Sequence, residues 1–324
     1  MVLLIPEVAF IALIVIGAVG VFSLLISALL MGFAAIPIYK IIFKRKKTWI
    51  HDRTIPDYDD DVDQAMYNEG RAWLDTHKDI WEEVETQNDG LMLRGIYLNF
   101  GREHTLVVIS GRKGTAWFMS YYGQIYENSD YNVLLIDSRG NGWSDGVYLT
   151  AGVKESGDLL AWCKYLHDER GQKGIVMHGI CIGGATAMLL TAREDCPDYM
   201  LGVIAEGPFT TILNLFVNHL KTAHAPYWPM HHFIGICFKR YAGVDVKKDS
   251  PINLAPKMNR PILIMQGMKD NFARMPQTKE LFDKIGCEDK EFFLMPEGDH
   301  SHMMYYNREM YVGKCLEFVK RIEN

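Results

Sequence analysis

The stretch His178-Gly-Ile-Cys181-Ile-Gly-Gly-Ala-Thr-Ala-Met188 places glycines at fixed offsets around one central residue. That spacing is the signature of a nucleophile elbow, a tight strand-to-helix turn on which one side chain is held exposed. The central position normally carries serine, and here it carries Cys181. A thiol at a helix N-terminus beside a histidine ionises more readily than a free one, so a reactive thiolate is the expected chemistry. Taken alone, a small buried apolar thiol is an equally good reading of Cys181. An acid and a base follow it in the order cysteine, aspartate, histidine. Asp270 comes directly off the apolar run PILIMQG, where a carboxylate is placed to orient an imidazole. The base lies in MPEGDHSHMM, where His300 and His302 are both available and at most one of them serves. An oxyanion hole needs two converging backbone N–H groups, expected from Ile182 and from Arg112 in SGRKG. Only the backbone is needed there, and the charged side chains of Arg112 and Lys113 read as solvated.

These residues sit in a regular frame from residue 80 onward. Strand-like runs at 105–110, 132–137, 174–179, 201–206, 261–267 and 291–296 alternate with helix-like stretches at 115–128, 153–168, 182–194, 275–285 and 305–323. Continuous Val/Ile/Leu strands separated by helices imply a mostly parallel sheet covered on both faces, hence fold class α/β. Two earlier alternating runs, 80–87 and 92–99, flank Asn88-Asp89-Gly90 and read as an antiparallel hairpin. The long gap between 206 and 261 is rich in aromatics, His and Pro, and residues 208–250 read as a helical cap over the ligand crevice.

The chain has 324 residues, 48% hydrophobic and 23% charged, with a formal net charge of −6. That length supports a self-sufficient core. The charge balance, with no basic stripe after residue 50, excludes nucleic acid as the expected partner. Six cysteines, with no CxxC or Cys/His spacing, argue against a metal and for free thiols in a reducing compartment. His224, His231 and His232 in the cap lack matching ligands, and His178 reads as a packed strand residue.

The N-terminal end differs in kind. From Val2 to Tyr39 the single charged side chain is Glu7, which is the composition of one membrane span. Lys40, Lys44, Arg45, Lys46 and Lys47 crowd its C-terminal flank, so the positive-inside rule puts residues 40–324 in the cytoplasm. The same cluster suits anionic headgroups. Residues 48–63 read as a polar stalk leading to a helix near Met66–His77. The acidic run Asp57–Asp63 lacks the glycine and bidentate glutamate of a calcium loop. The expected organisation is an anchor at 1–39, a juxtamembrane segment at 40–79 and a catalytic domain at 80–324.

Together, DSRGNGWSDG (137–146), GxCxGG, QGxxD and EGDH resemble the α/β-hydrolase superfamily across residues 80–324. The resemblance is to its bacterial serine-aminopeptidase/monoacylglycerol-lipase-like branch. It implies a structural role for Asp137, Arg139, Gly140, Gly142 and Ser144, and it implies no cofactor. In such proteins the base histidine precedes a tyrosine-bearing final helix, and the spacing to Tyr311 favours His300. Ser110-Gly111 replaces the family's His-Gly. A cysteine nucleophile is similar to that of dienelactone hydrolases and polyhydroxyalkanoate synthases. The expected function is a membrane-anchored hydrolase of esters, thioesters or amides acting through Cys181, His300 and Asp270, with a small acyl, lipid-like substrate. A thiol acyltransferase and an inactive binding scaffold are the alternatives.

Overall fold

The computed structural model describes residues 4–45, 61–112 and 114–323. The expected stalk falls largely on residues 46–60 and lies outside them. Eight strands form one sheet: β1 Trp81–Asn88, β2 Leu91–Leu98, β3 His104–Ile109, β4 Tyr131–Ile136, β5 Gly174–Ile180, β6 Met200–Glu206, β7 Ile262–Gly267 and β8 Lys290–Met295. Their spatial order is β1-β2-β4-β3-β5-β6-β7-β8. β1/β2 and β2/β4 are antiparallel, and every later pair is parallel. The hairpin turn is the one the sequence implies, with Asp89 and Gly90 both at positive φ.

The parallel strands are apolar along their whole length because both faces are buried. Leu106 and Val108 of β3 join one core cluster, while Val107 and Ile109 join the other. Helices α2 Asp61–Thr76, α3 Ala116–Gly123 and α11 Arg308–Ile322 contribute to the first cluster, and α4 Glu155–Lys164 to the second. Helix α5 Ile182–Thr191 follows β5 and is buried throughout. The region 208–250 folds as helices α6 Ile212–Thr222 and α7 Met230–Cys237, with a π-turn at Phe238–Ala242. The short α8 Pro251–Leu254 and α9 Met275–Lys284 follow. The expected helix 305–323 is two helices. Asn307 breaks it after α10 Met303–Tyr306, and its side chain caps α11 by accepting from Met310 N at 3.2 Å.

Helix α1, Leu4–Phe43, is long and apolar enough to cross a membrane. Residues 8–30 are almost wholly exposed, and a helix of that length spans about 35 Å against a bilayer core of about 30 Å. From Met31 the helix docks on the rest of the chain. Ala35, Tyr39 and Phe43 are buried, and the Tyr39 ring lies 5.6 Å from that of Tyr148 and 5.0 Å from that of Phe238. Arg45 then donates to the carbonyls of Ser144 (2.7 Å) and Gly142 (2.8 Å). One member of the basic flank is therefore engaged by the protein itself rather than by headgroups.

The 137–146 loop is tied into the core by charge. Asp137 accepts from the backbone of Ala116 (2.7 Å) and Trp143 (2.9 Å), so a Cβ at Gly142 would lie 2.2 Å from its carboxylate. Arg139 grips Asp158 through two bonds of 2.6 and 2.5 Å, with both side chains only 5% exposed. Removing one member strands the other in a low-dielectric site. R139M should therefore cost about 3–5 kcal/mol of stability. R139M/D158L should recover a clear part of that loss in the same thermal unfolding experiment. A double variant no more stable than the single one would show that the pair is not the cause.

Candidate active site

Cys181 occupies the turn between β5 and α5 with φ 53° and ψ −110°, a conformation that L-residues adopt at a cost. Close approach explains the glycines around it. A Cβ at Gly183 would lie 2.3 Å from the Ile109 carbonyl, and one at Gly179 would lie 2.2 Å from the Gly183 backbone. The Cys181 N–H donates to the Glu206 carbonyl at 2.8 Å, which fixes the turn to the neighbouring strand.

Asp270 follows β7 directly. One carboxylate oxygen accepts from the backbone N–H groups of Phe272 and Ala273, each at 2.8 Å. The other meets His300 Nδ1 at 2.7 Å. This aspartate is fully buried and held in one orientation. The imidazole and the Cys181 thiol line the same cavity, near enough for Cys181 to act on His300 electrostatically. Burial would push the His300 pKa down, but Cys181 and Asp270 together hold it well above its ordinary value. The arrangement therefore favours the protonated imidazole.

His302 goes elsewhere. It meets Asp299 at 3.0 Å and Asp63, from α2, at 3.1 Å. Both candidate bases line the cavity with Cys181, and of the two His300 is the one that meets Asp270. Ile182 opens α5 and Arg112 lies on the loop after β3, so both border Cys181 and line the same cavity. The Arg112 side chain, expected to be solvated, is half-buried, and the residue lines the cavity. His178 is buried and packed, as expected. No group of three or more His, Cys, Asp or Glu that could hold a metal occurs among the described residues.

The cavity has a volume of about 660 Å³. Its apolar wall includes Ile212, Leu215, Phe216 and Leu220 from the cap, together with Ile42 and Phe43 at the end of α1. Sequence reasoning missed those last two, because an apolar residue ending a membrane-like helix carries no local sign of a second role.

It also missed the polar network behind the elbow. Tyr311 does not reach His300. Its hydroxyl donates to Glu206 Oε2 at 2.6 Å and accepts from His178 Nε2 at 2.8 Å, while Tyr126 donates to His178 Nδ1 at 3.0 Å. Burial pushes the His178 pKa down to about 3, so that imidazole is neutral. Burial pushes Glu206 up from the ordinary 4.5 to about 7, against the pull of the Tyr311 hydrogen bond. The available signal was the single acid closing the apolar run LGVIAE.

A carboxyl whose pKa is raised on folding holds its proton more tightly in the native state. Its stabilising effect is complete below about pH 4.5 and is lost as pH rises towards 7. E206Q should remove that decline, so its stability relative to wild type should improve by about 3 kcal/mol between pH 4.5 and 8. Thermal unfolding of both proteins across that range measures it. A difference that does not change with pH would show that Glu206 does not titrate there.

Comparison with known proteins agrees with this architecture. The family model of the prolyl oligopeptidase family matches residues 117–322. The chain is 24% identical over 291 residues to the protein bem46 of Schizosaccharomyces pombe, covering 87% of this chain and 86% of that one. It is also 24% identical over 223 residues to an uncharacterised Bacillus subtilis protein, YqkD, covering 68% of this chain and 72% of that one. The Pyrococcus furiosus esterase Pf2001 superposes with a TM-score of 0.63 at 21% identity, over 75% of this chain and 93% of that one. An acylaminoacyl peptidase of Pyrococcus horikoshii gives 0.56 at 17% identity, over 78% of this chain and 43% of that one. The parallel sheet, the elbow after β5 and the match across most of the domain make this an α/β-hydrolase fold, and the chain belongs to the prolyl oligopeptidase family.

Proposed function

We propose that this protein is a membrane-anchored acyl hydrolase using Cys181 as nucleophile, His300 as base and Asp270 as the acid that orients it. The observation that carries this reading is the position of the His300 ring. It is bonded to a buried carboxylate and shares an apolar-walled cavity with the Cys181 thiol. The Cys181 thiolate attacks the substrate carbonyl, and the negative oxygen that forms is held by the N–H groups of Arg112 and Ile182. Collapse breaks the bond to the leaving group, which takes the proton from His300. Water then attacks the acyl-thioester, giving its proton to His300, and Cys181 leaves as thiolate.

The cavity wall argues for an acyl-chain substrate. Ile42 and Phe43 belong both to that wall and to the foot of the apolar helix, so the cavity lies where a lipid chain would arrive from a bilayer. The motifs support the serine-aminopeptidase/monoacylglycerol-lipase-like branch, with cysteine substituted at the elbow. Anchoring by residues 8–30 accounts for a helix that is exposed for one bilayer thickness and docked thereafter. The basic flank supports a cytoplasmic catalytic domain and an external N-terminus.

With the best ester or thioester found in a screen, C181A should lose about 10⁴-fold or more in kcat. C181S should fold but remain impaired, since the shorter C–O bond holds its oxygen farther from His300. H300A should fall to the level of C181A, and H302A should lose far less. Wild-type turnover by C181A would remove the thiol mechanism, and inactivity confined to H302A would reassign the base. Adding an alcohol or amine acceptor to the same assay measures transfer against hydrolysis.

Protease added to intact cells should leave the domain after residue 61 undigested. Its cleavage there would reverse the topology.

A further inference from the structure

One charge in the cavity has no part in the acylation step: the guanidinium of Arg112. It lines the cavity with Cys181 and His300, on a loop that presses against the elbow. A methyl group at the preceding Gly111 would sit 3.6 Å from Cβ of Cys181. Burial pushes the guanidinium's pKa down, against the smaller pull of the nearby Cys181.

Other half-buried or buried arginines at this end of the sheet have partners. Arg139 holds Asp158, and Arg45 holds two carbonyls. Arg112 forms no ion pair or hydrogen bond and stacks on no ring among the described residues. The nearby acids are engaged by imidazoles: Asp63 on the cavity wall meets His302 at 3.1 Å, and Asp270 meets His300 at 2.7 Å. The remaining basic side chain on the wall is His219, stacked 3.9 Å from Phe272. Burial first, then His300 and Arg112, push its pKa down to about 4, so it is neutral and adds no competing charge.

A guanidinium withdrawn from water without a counter-ion is costly unless a ligand supplies one. Its planar fork fits two oxygens of a carboxylate or phosphate. We infer that Arg112 selects substrates carrying a carboxylate or phosphate group next to the scissile acyl bond, with the hydrocarbon part lying along the cap and the foot of α1. This rests on Cys181 being the reactive thiol. It adds that the preferred substrate is an anionic amphiphile rather than a neutral ester.

The test uses the full chain in detergent micelles and needs no known substrate. Iodoacetate and iodoacetamide alkylate a thiolate by the same displacement of iodide, and they differ in charge. Their rates at Cys181 are read by peptide mass spectrometry and normalised to the same ratio for free cysteine. The wild-type ratio should favour iodoacetate by about tenfold or more, the effect of one charge-assisted hydrogen bond. The preference should shrink with added salt. R112M should bring the ratio to that of free cysteine, and R112K should keep part of it.

A second arm is protection of Cys181 from iodoacetamide. Hexanoate or hexyl phosphate should protect better than hexanol, and whichever protects better identifies the anion. A wild-type ratio equal to that of free cysteine, with iodoacetamide still reacting, overturns the anion site and leaves the thiol mechanism standing. So does an R112M protein slowed equally towards both reagents, which would make Arg112 a partner of the thiolate alone. Failure of both reagents at Cys181 overturns the anion site and the thiol mechanism together.

Discussion

The backbone at Cys181 is bent into a region that costs an L-residue about 1–3 kcal/mol, and much of the surrounding structure serves to hold it there. The bend requires the strand before it and the helix after it to meet almost backbone to backbone. Glycine at 179, 183 and 184 removes the side chains that would prevent this. It also requires β5 to be locked between β3 and β6, which the parallel registers on both sides provide. The return is geometric. A side chain on such a turn points away from both elements, into the space at the strand ends, where the N–H groups of α5 converge.

What lies behind the turn is polar, unlike the rest of the core. Glu206, Tyr311, His178 and Tyr126 form one buried chain of hydrogen bonds linking β6, α11, β5 and the turn after α3. Each bond fixes the tautomer or rotor of the next, so the network is stiff in a way that apolar packing is not. Glu206 is attached to the elbow through its carbonyl and to the final helix through its side chain. Its neighbour Gly207 lies against His300 and Asp270. One residue thus couples the position of Cys181 to that of the loop carrying His300.

How much of this was legible in the sequence depended on whether the determining contacts were local. The elbow was legible because its glycines stand at fixed offsets around Cys181, and the approach of Gly179 to Gly183 and Gly184 is local. The parallel strands were legible because burial on both faces leaves an uninterrupted apolar run. Asp270 was legible from its place at the end of such a run. The choice between His300 and His302 was not decided by their neighbours, since His302 is claimed by Asp63, which lies 239 positions away. Tyr311 drew attention through its spacing from the histidine, yet its hydroxyl serves Glu206 and His178, a partnership created only when α11 packs across β5 and β6. The Arg112 side chain read as solvated for the same reason. Nothing near it in sequence shows that the cap will close over it.

The longest-range consequence concerns α1. A hydrophobic helix that merely tethers a domain needs no specific contact with it, and a flexible stalk would serve. Here the last three turns of the helix are part of the domain: Tyr39 packs among Tyr148, Phe238 and Tyr241, and Arg45 closes on the 137–146 loop. The same loop holds Asp137, whose carboxylate takes the first N–H of α3, and Tyr148, two residues beyond the loop, packs its ring near that of Tyr241 in the cap. Helix, loop, cap and cavity wall therefore share one core cluster. Ile42 and Phe43 at the end of α1 line the cavity together with Ile212, Leu215 and Phe216 of the cap, so the apolar helix supplies part of the cavity wall as well as a tether.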